Sequence, residues 1–169
     1  MAKTKAKTLY SQQKFTLAVA LGLAVLASPA TASAQQVYEK IGGEQLAALM
    51  QDWGYRAELG IDEYGDPLIE TSAAGTGFEV VFYDCAGEPA QCDSIMLTSG
   101  FDFQEGINPA VTNEWNLKHR FTRAYNDEEG DPIIELDYSL VGGVTAGNMK
   151  ELFELWESRL GDFTDHIDW

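Results

Sequence analysis

The sequence predicts an α+β domain in which an antiparallel sheet of about six strands carries three helices. Three observations predict it. Apolar residues recur at helical spacing in three stretches, they alternate with polar residues in several others, and short turns rich in Gly, Asp and Pro join consecutive strand-like stretches. Strands joined by tight turns pair antiparallel, whereas a parallel sheet would need a helical crossover between neighbours. The order read along the chain is α-β-β-β-β-α-β-β-α.

Each element has its own signal. Leu46, Leu49, Met50 and Trp53 form the stripe of an amphipathic first helix, with Gly54 placed to end it. Ala57, Leu59 and Ile61 alternate with Arg56, Glu58 and Gly60, which predicts a half-buried strand. Asp62 to Pro67 is turn chemistry, and Leu68 to Ala73 reads as the returning strand. Phe78 to Cys85 is a third strand, and Ile95, Leu97, Phe101 and Phe103 keep period two through a fourth. Asn108-Pro109 is a capping residue followed by Pro in the first helical turn, and it opens a helix that carries Val111 and Trp115 and runs to about Lys118. Arg120 to Tyr125 reads as a fifth strand. After a second Gly-Asp-Pro turn, Ile134, Leu136, Tyr138 and Leu140 form the inward face of a sixth. Gly142-Gly143 ends that strand. The last helix runs from about Thr145 to Leu160, with Met149, Leu152, Phe153, Trp156 and Leu160 on one side, and Gly161 marks its end before a short acidic tail. No linker interrupts residues 35–169, which read as one domain.

Charge divides the chain. It has 169 residues, 27 of them acidic and 11 basic, for a formal charge of −16. The first 34 residues hold four of the lysines and no acidic residue, so the remainder sets seven basic residues against 27 acidic ones, a balance of −20. Such a domain is poorly suited to nucleic acid or an anionic membrane surface. The basic start, the apolar run from Phe15 to Ala27, Pro29 and Ala32-Ser33-Ala34 follow the order of a secretory signal. A run of thirteen residues is short of the roughly 20 that a spanning helix needs. Cleavage after Ala34 is expected, with no stable membrane insertion afterwards and a periplasmic or secreted product. In an oxidising compartment Cys85 and Cys92, flanking a Gly/Pro turn between two strands, are expected to form a structural disulfide. Free thiols are the alternative. A redox or metal role is a weaker one, because the spacing is not C-x-x-C and further ligands are missing.

Motifs for chemistry are sparse. The segments DEYGDPLIE at 62–70 and DEEGDPIIE at 127–135 are rich in carboxylates, but they lack the D-x-D-x-D order of a calcium loop and read as hairpin turns. His119 lies between Lys118 and Arg120, whose charges disfavour an imidazolium, and His166 falls in the acidic tail, expected to be solvated. No nucleophile elbow, zinc-protease helix, phosphate loop or dinucleotide fingerprint is present, so neither an enzyme nor a cofactor or metal is expected. One place reverses the charge: Lys118, Arg120 and Arg123 are three of the seven basic residues after position 34, flanked by Trp115 and Tyr125. Two readings apply. Arg120 and Arg123 could clamp carboxylates of the next strand, such as Glu135 and Asp137. Alternatively, Trp115, Asn116, Lys118, Arg120, Arg123 and Tyr125 could form a recognition patch for an anionic ligand or protein partner.

The same stretch carries a family resemblance. Residues 113–163 resemble the C-terminal half of YbjN-domain proteins: Trp115-Asn116, Arg120-Phe121, Ala124-Tyr125, Asp127 to Asp131, Glu135, Asp137 and Gly142-Gly143 match in order. The first helix ending in Trp53-Gly54-Tyr55 matches more loosely. The resemblance implies a fold like that of type III secretion chaperones, which are small dimers that bind proteins, and a regulatory role with no catalytic residue. A homodimer and a protein partner are therefore expectations of the resemblance. The signal sequence and the cysteine pair depart from the family pattern. The expected function is that of an exported, non-enzymatic module that binds a protein or regulates the bacterial envelope. A module for a small ligand or divalent cation is the alternative, and a hydrolase with an unrecognised carboxylate pair stands third.

Overall fold

The computed structural model describes residues 36–169, so the expected leader and the cleavage after Ala34 lie outside the described residues. The chain runs β1 (Val37–Tyr38), α1 (Gly43–Asp52), β2 (Glu58–Ile61), β3 (Pro67–Ala73), β4 (Thr76–Ala86) and β5 (Gln91–Gly100). It continues through α2 (Pro109–Lys118), β6 (Arg123–Asn126), β7 (Pro132–Ser139), β8 (Val144–Thr145) and α3 (Ala146–His166). Six strands form one antiparallel sheet in the order β2-β3-β4-β5-β7-β6, so the fold is α+β with three helices, as the apolar spacing predicts.

Period two divides that sheet into unlike faces. On the helix-covered face the register brings Ile69, Val80, Leu97 and Leu136 into one row, and Phe82 lies opposite Ile95 in the next. All are essentially buried. Onto them α3 lays Met149, Phe153, Trp156, Leu160 and Phe163, each fully buried. Phe78 meets Trp156 at 5.6 Å between ring centroids, and Phe153 receives Trp53 and Tyr55 at 5.5 and 5.7 Å. The opposite face presents Glu70, Glu79, Thr98 and Glu135 in a row across β3, β4, β5 and β7.

The turns follow their local chemistry. In both Gly-Asp-Pro hairpins the first carboxylate closes an Asx turn: Asp62 Oδ1 accepts from the backbone N–H groups of Tyr64 and Asp66, and Asp127 Oδ1 from those of Glu129 and Asp131, all at 2.9 Å. Gly65 and Gly130 supply the positive φ that each turn requires, +91° and +90°. Cys85 and Cys92 face each other in the β4–β5 register and are disulfide-bonded.

Four expectations need correction. β2 is not half-buried: Leu59 is 44% exposed and Ile61 75%, because β2 is the outer strand, with a neighbour on one side only. β5 ends at Gly100, so Phe101 and Phe103 lie past it, although Phe101 is still buried. β6 starts only at Arg123, because Phe121 adopts φ +75° and breaks the extended run at the place where Arg120 to Tyr125 was expected to be continuous. α3 does not stop at Gly161 but continues to His166, and the expected tail is core: Phe163 and Ile167 are buried, and Trp169 packs on Phe101 and Phe103 at 5.2 and 5.1 Å. The two-residue strands β1 and β8, which pair with each other, have no counterpart among the expected elements.

Phe163→Ala is therefore expected to lower the unfolding free energy by about 3–5 kcal/mol, the usual cost of emptying a buried aromatic site. Urea denaturation of residues 35–169 measures it, and a solvated tail would show no change.

Candidate functional site

α2 starts where Asn108 caps it, with Oδ1 accepting from the Ala110 N–H and Pro109 following in the first turn. Its buried side is narrow. Trp115 is fully buried, its indole Nε1 donating to Thr122 Oγ1 at 3.1 Å and its ring meeting Phe163 edge-on at 5.0 Å. Asn116 uses its amide like a strand partner: Nδ2 donates to the Ala124 carbonyl and Oδ1 accepts from the Ala124 N–H, both at 2.8 Å. That pair of bonds satisfies β6 at the sheet edge, where a free ladder would otherwise invite pairing.

The six candidate residues thus divide into different jobs. Trp115 offers no surface to a partner, and the Asn116 amide is committed to β6; both position the segment. Lys118 pairs with Glu114 one turn earlier on α2. Arg123 donates from Nε to Glu135 Oε2 at 2.6 Å, with Asp137 3.9 Å from its Nη2. Tyr125 donates its hydroxyl proton to the other oxygen, Glu135 Oε1, at 2.8 Å. Glu135 is 5% exposed, so Arg123 and Tyr125 together compensate an almost buried carboxylate. Burial first, then the Glu135 bond and charge, push the Tyr125 phenol up to about 12. The same carboxylate holds Arg123 firmly protonated. The clamp reading is therefore right for Arg123 and not for Arg120.

Arg120 stands apart. The described residues contain seven Lys and Arg side chains, and six of them reach a carboxylate. Arg120 is the seventh; its guanidinium carbon instead lies 4.7 Å above the centroid of the Phe121 ring. Phe121 is 64% exposed and Leu117, one residue before the end of α2, is 87% exposed. Neither was among the sequence candidates. Leu117 could have been found as an apolar residue off the Val111/Trp115 stripe, and Phe121 from sharing strand parity with Arg123 and Tyr125. The left-handed backbone at Phe121 had no such signal.

Behind this display lies a histidine pair. His119 stacks on Trp115 at 3.7 Å, nearly parallel, and its Nδ1 lies 3.1 Å from Arg159 Nη1. A guanidinium only donates, so Nδ1 must be an unprotonated acceptor, and neutral His119 carries its proton on Nε2. Arg159 also binds Asp162. His166 is not a solvated tail residue: its Nε2 lies 2.9 Å from the Val111 carbonyl and donates to it. Burial, then the Arg159 charge, lower the His119 pKa. Among the described residues no group of three or more His, Cys, Asp or Glu is arranged to hold a metal ion. No helix among them is long and apolar enough to cross a membrane.

Two predictions follow from these contacts. Arg123→Ala should cost about 2–3 kcal/mol in urea denaturation, because it leaves Glu135 short of its charged partner, while Arg120→Ala should stay within about 0.5 kcal/mol. For His119, the unfolded ring takes its proton near the ordinary value of 6.5, while the folded ring resists until lower pH. The stability contributed by neutral His119 is then complete above that value and is lost as pH falls through the window between the unfolded and folded pKa. Thermal melts at about pH 7.5 and about pH 5 should show a smaller acid loss for His119→Gln, which keeps an acceptor for Arg159 but cannot titrate.

Comparison with known proteins identifies one family. The YbjN family, described as "Putative bacterial sensory transduction regulator", matches residues 43–169. No curated protein and no solved structure matches the chain.

Proposed function

The chain belongs to the YbjN family, and on that premise we propose that it is an exported, non-enzymatic regulator of the bacterial envelope that binds a protein partner through Leu117, Arg120 and Phe121. The single observation that carries this reading is Arg120. In a domain whose basic residues are outnumbered by 27 acidic ones, six of seven find a carboxylate and the seventh is displayed on an exposed aromatic ring. Phe121 strengthens it: a bulky side chain at φ +75° costs about 1–2 kcal/mol relative to an ordinary conformation, and Phe121 recovers little of that by burial. Arg and aromatic residues are also the side chains that dominate protein interfaces. An acidic segment of the partner, with one apolar side chain to meet Leu117 and Phe121, has the matching chemistry. Export rests on the leader-like composition of residues 1–34 and on the Cys85–Cys92 disulfide, a bond that persists in oxidising compartments.

A photo-reactive phenylalanine analogue placed at position 121 in living cells tests the reading. It should trap a discrete partner in the envelope fraction, and Arg120→Glu should reduce the adduct about tenfold or more. The same probe at Val141, also exposed but on the loop after β7, serves as the reference. Equal adducts from positions 141 and 121 would refute the site.

A further inference from the structure

The opposite edge of the sheet carries a second surface. β2 pairs only with β3. Their hairpin closes through the Asp62 N–H bonding to the Asp66 carbonyl at 2.9 Å, which makes that pair hydrogen-bonded. Antiparallel pairs alternate, so Gly60 and Glu58 bond to β3, while Leu59 and Ile61 direct their N–H and C=O groups away from it. Pro67, opposite Ile61, has no N–H to give, as a non-bonded pair allows. Two residues of an uncapped sheet edge therefore offer donors and acceptors outward.

Their side chains point to the same face as Ile69, the helix-covered face, and there they border a cleft of about 680 Å3. The start of α1 forms its second wall, packed so close that a Cβ on Gly43 would lie 2.7 Å from both Leu59 Cδ1 and Pro67 Cβ. The turn with Glu88 and Pro89 closes the third side. The charged residues of the lining are Glu44 and Glu88, both acidic. Glu58 and Asp62 flank the free edge.

We propose that the β2 edge and this cleft form a docking groove for an extended, basic stretch of a partner protein. The stretch would add as a strand through the backbone of Leu59 and Ile61 and place one apolar side chain in the cleft. Charge selects this occupant over a second copy of the chain, since two β2 edges side by side would set Glu58, Asp62 and Glu63 of each copy against a single cation per copy, Arg56, which already pairs with Glu58. Strand addition draws affinity from main-chain bonds and selectivity from alternate side-chain pockets, and a groove between a helix and a sheet edge supplies both. The surface is independent of the Arg120 display, which adjoins β6 at the far edge, and calls for a partner of opposite charge.

Fluorescence anisotropy with a labelled seven-residue peptide of alternating Lys and Val tests the groove on residues 35–169. The expected result is saturable binding that weakens about tenfold or more in Ile61→Pro, which removes an outward N–H while leaving the ladder to β3 intact. A comparable loss is expected in Glu44→Lys/Glu88→Lys, which leaves β2 untouched should the proline variant fold poorly. A Glu/Val peptide should not bind. Absence of Lys/Val binding at millimolar peptide, equal binding of both peptides, or binding insensitive to both variants would overturn the proposal. So would a dimer in sedimentation that Ile61→Pro dissociates, because self-pairing would then occupy the edge.

Discussion

Burial of Trp115 against the last turns of α3 is the constraint on which the functional part of the structure depends. Its indole is held edge-on by Phe163, covered by His119, and bonded through Nε1 to Thr122. These contacts fix the end of α2 and the far side of the crossing into β6 at once. The three residues between them, His119, Arg120 and Phe121, have little freedom left. His119 turns inward to Arg159, and Phe121 takes a left-handed backbone that carries its ring outward. The exposed display at Leu117, Arg120 and Phe121 is thus the outer side of a well-packed junction.

Charge is distributed on the same logic. Most basic residues are spent locally, either on exposed neighbours, as with Lys118 and Lys150, or on the nearly buried Glu135, as with Arg123. The exposed pairs contribute little to stability, since solvent screens them. The Arg123–Glu135–Tyr125 group matters more, because the carboxylate it compensates has left water. Among the described residues, what remains is a strongly acidic body with one uncommitted cation at one sheet edge and an acidic groove at the other.

Much of the fold was legible in the sequence because each main element signals through a repeated pattern. The stripe of α1, the Asn-Pro start of α2 and the alternation in β7 all depend on residues near one another in the chain. The misreadings have particular physical causes. Gly161 has the signature of a helix stop, yet Trp156, Leu160, Phe163 and Ile167 continue the helical spacing past it; a Cβ there would lie 3.6 Å from Ala74, so a small residue suits the approach. β1 and β8 are two residues each, too short to show a period. Within the site, Arg123 was recognisable as a clamp because its cross-strand partner is Glu135. Arg120 stands among the sequence candidates, but the left-handed backbone that displays Phe121 is not legible, because alternation carries no information about the sign of φ. Family membership agrees with a regulatory role, while the choice of surface rests on the geometry around Trp115.

The central claim is that the Phe121 side chain is displayed for recognition and contributes little to the fold. Urea unfolding of Phe121→Gly in residues 35–169 tests it most directly, because glycine accepts φ +75° without strain and the exposed ring gives up little burial. The expected stability is unchanged to within about 1 kcal/mol, or higher. A loss clearly above that would mean that the ring holds the junction together, and would contradict the claim.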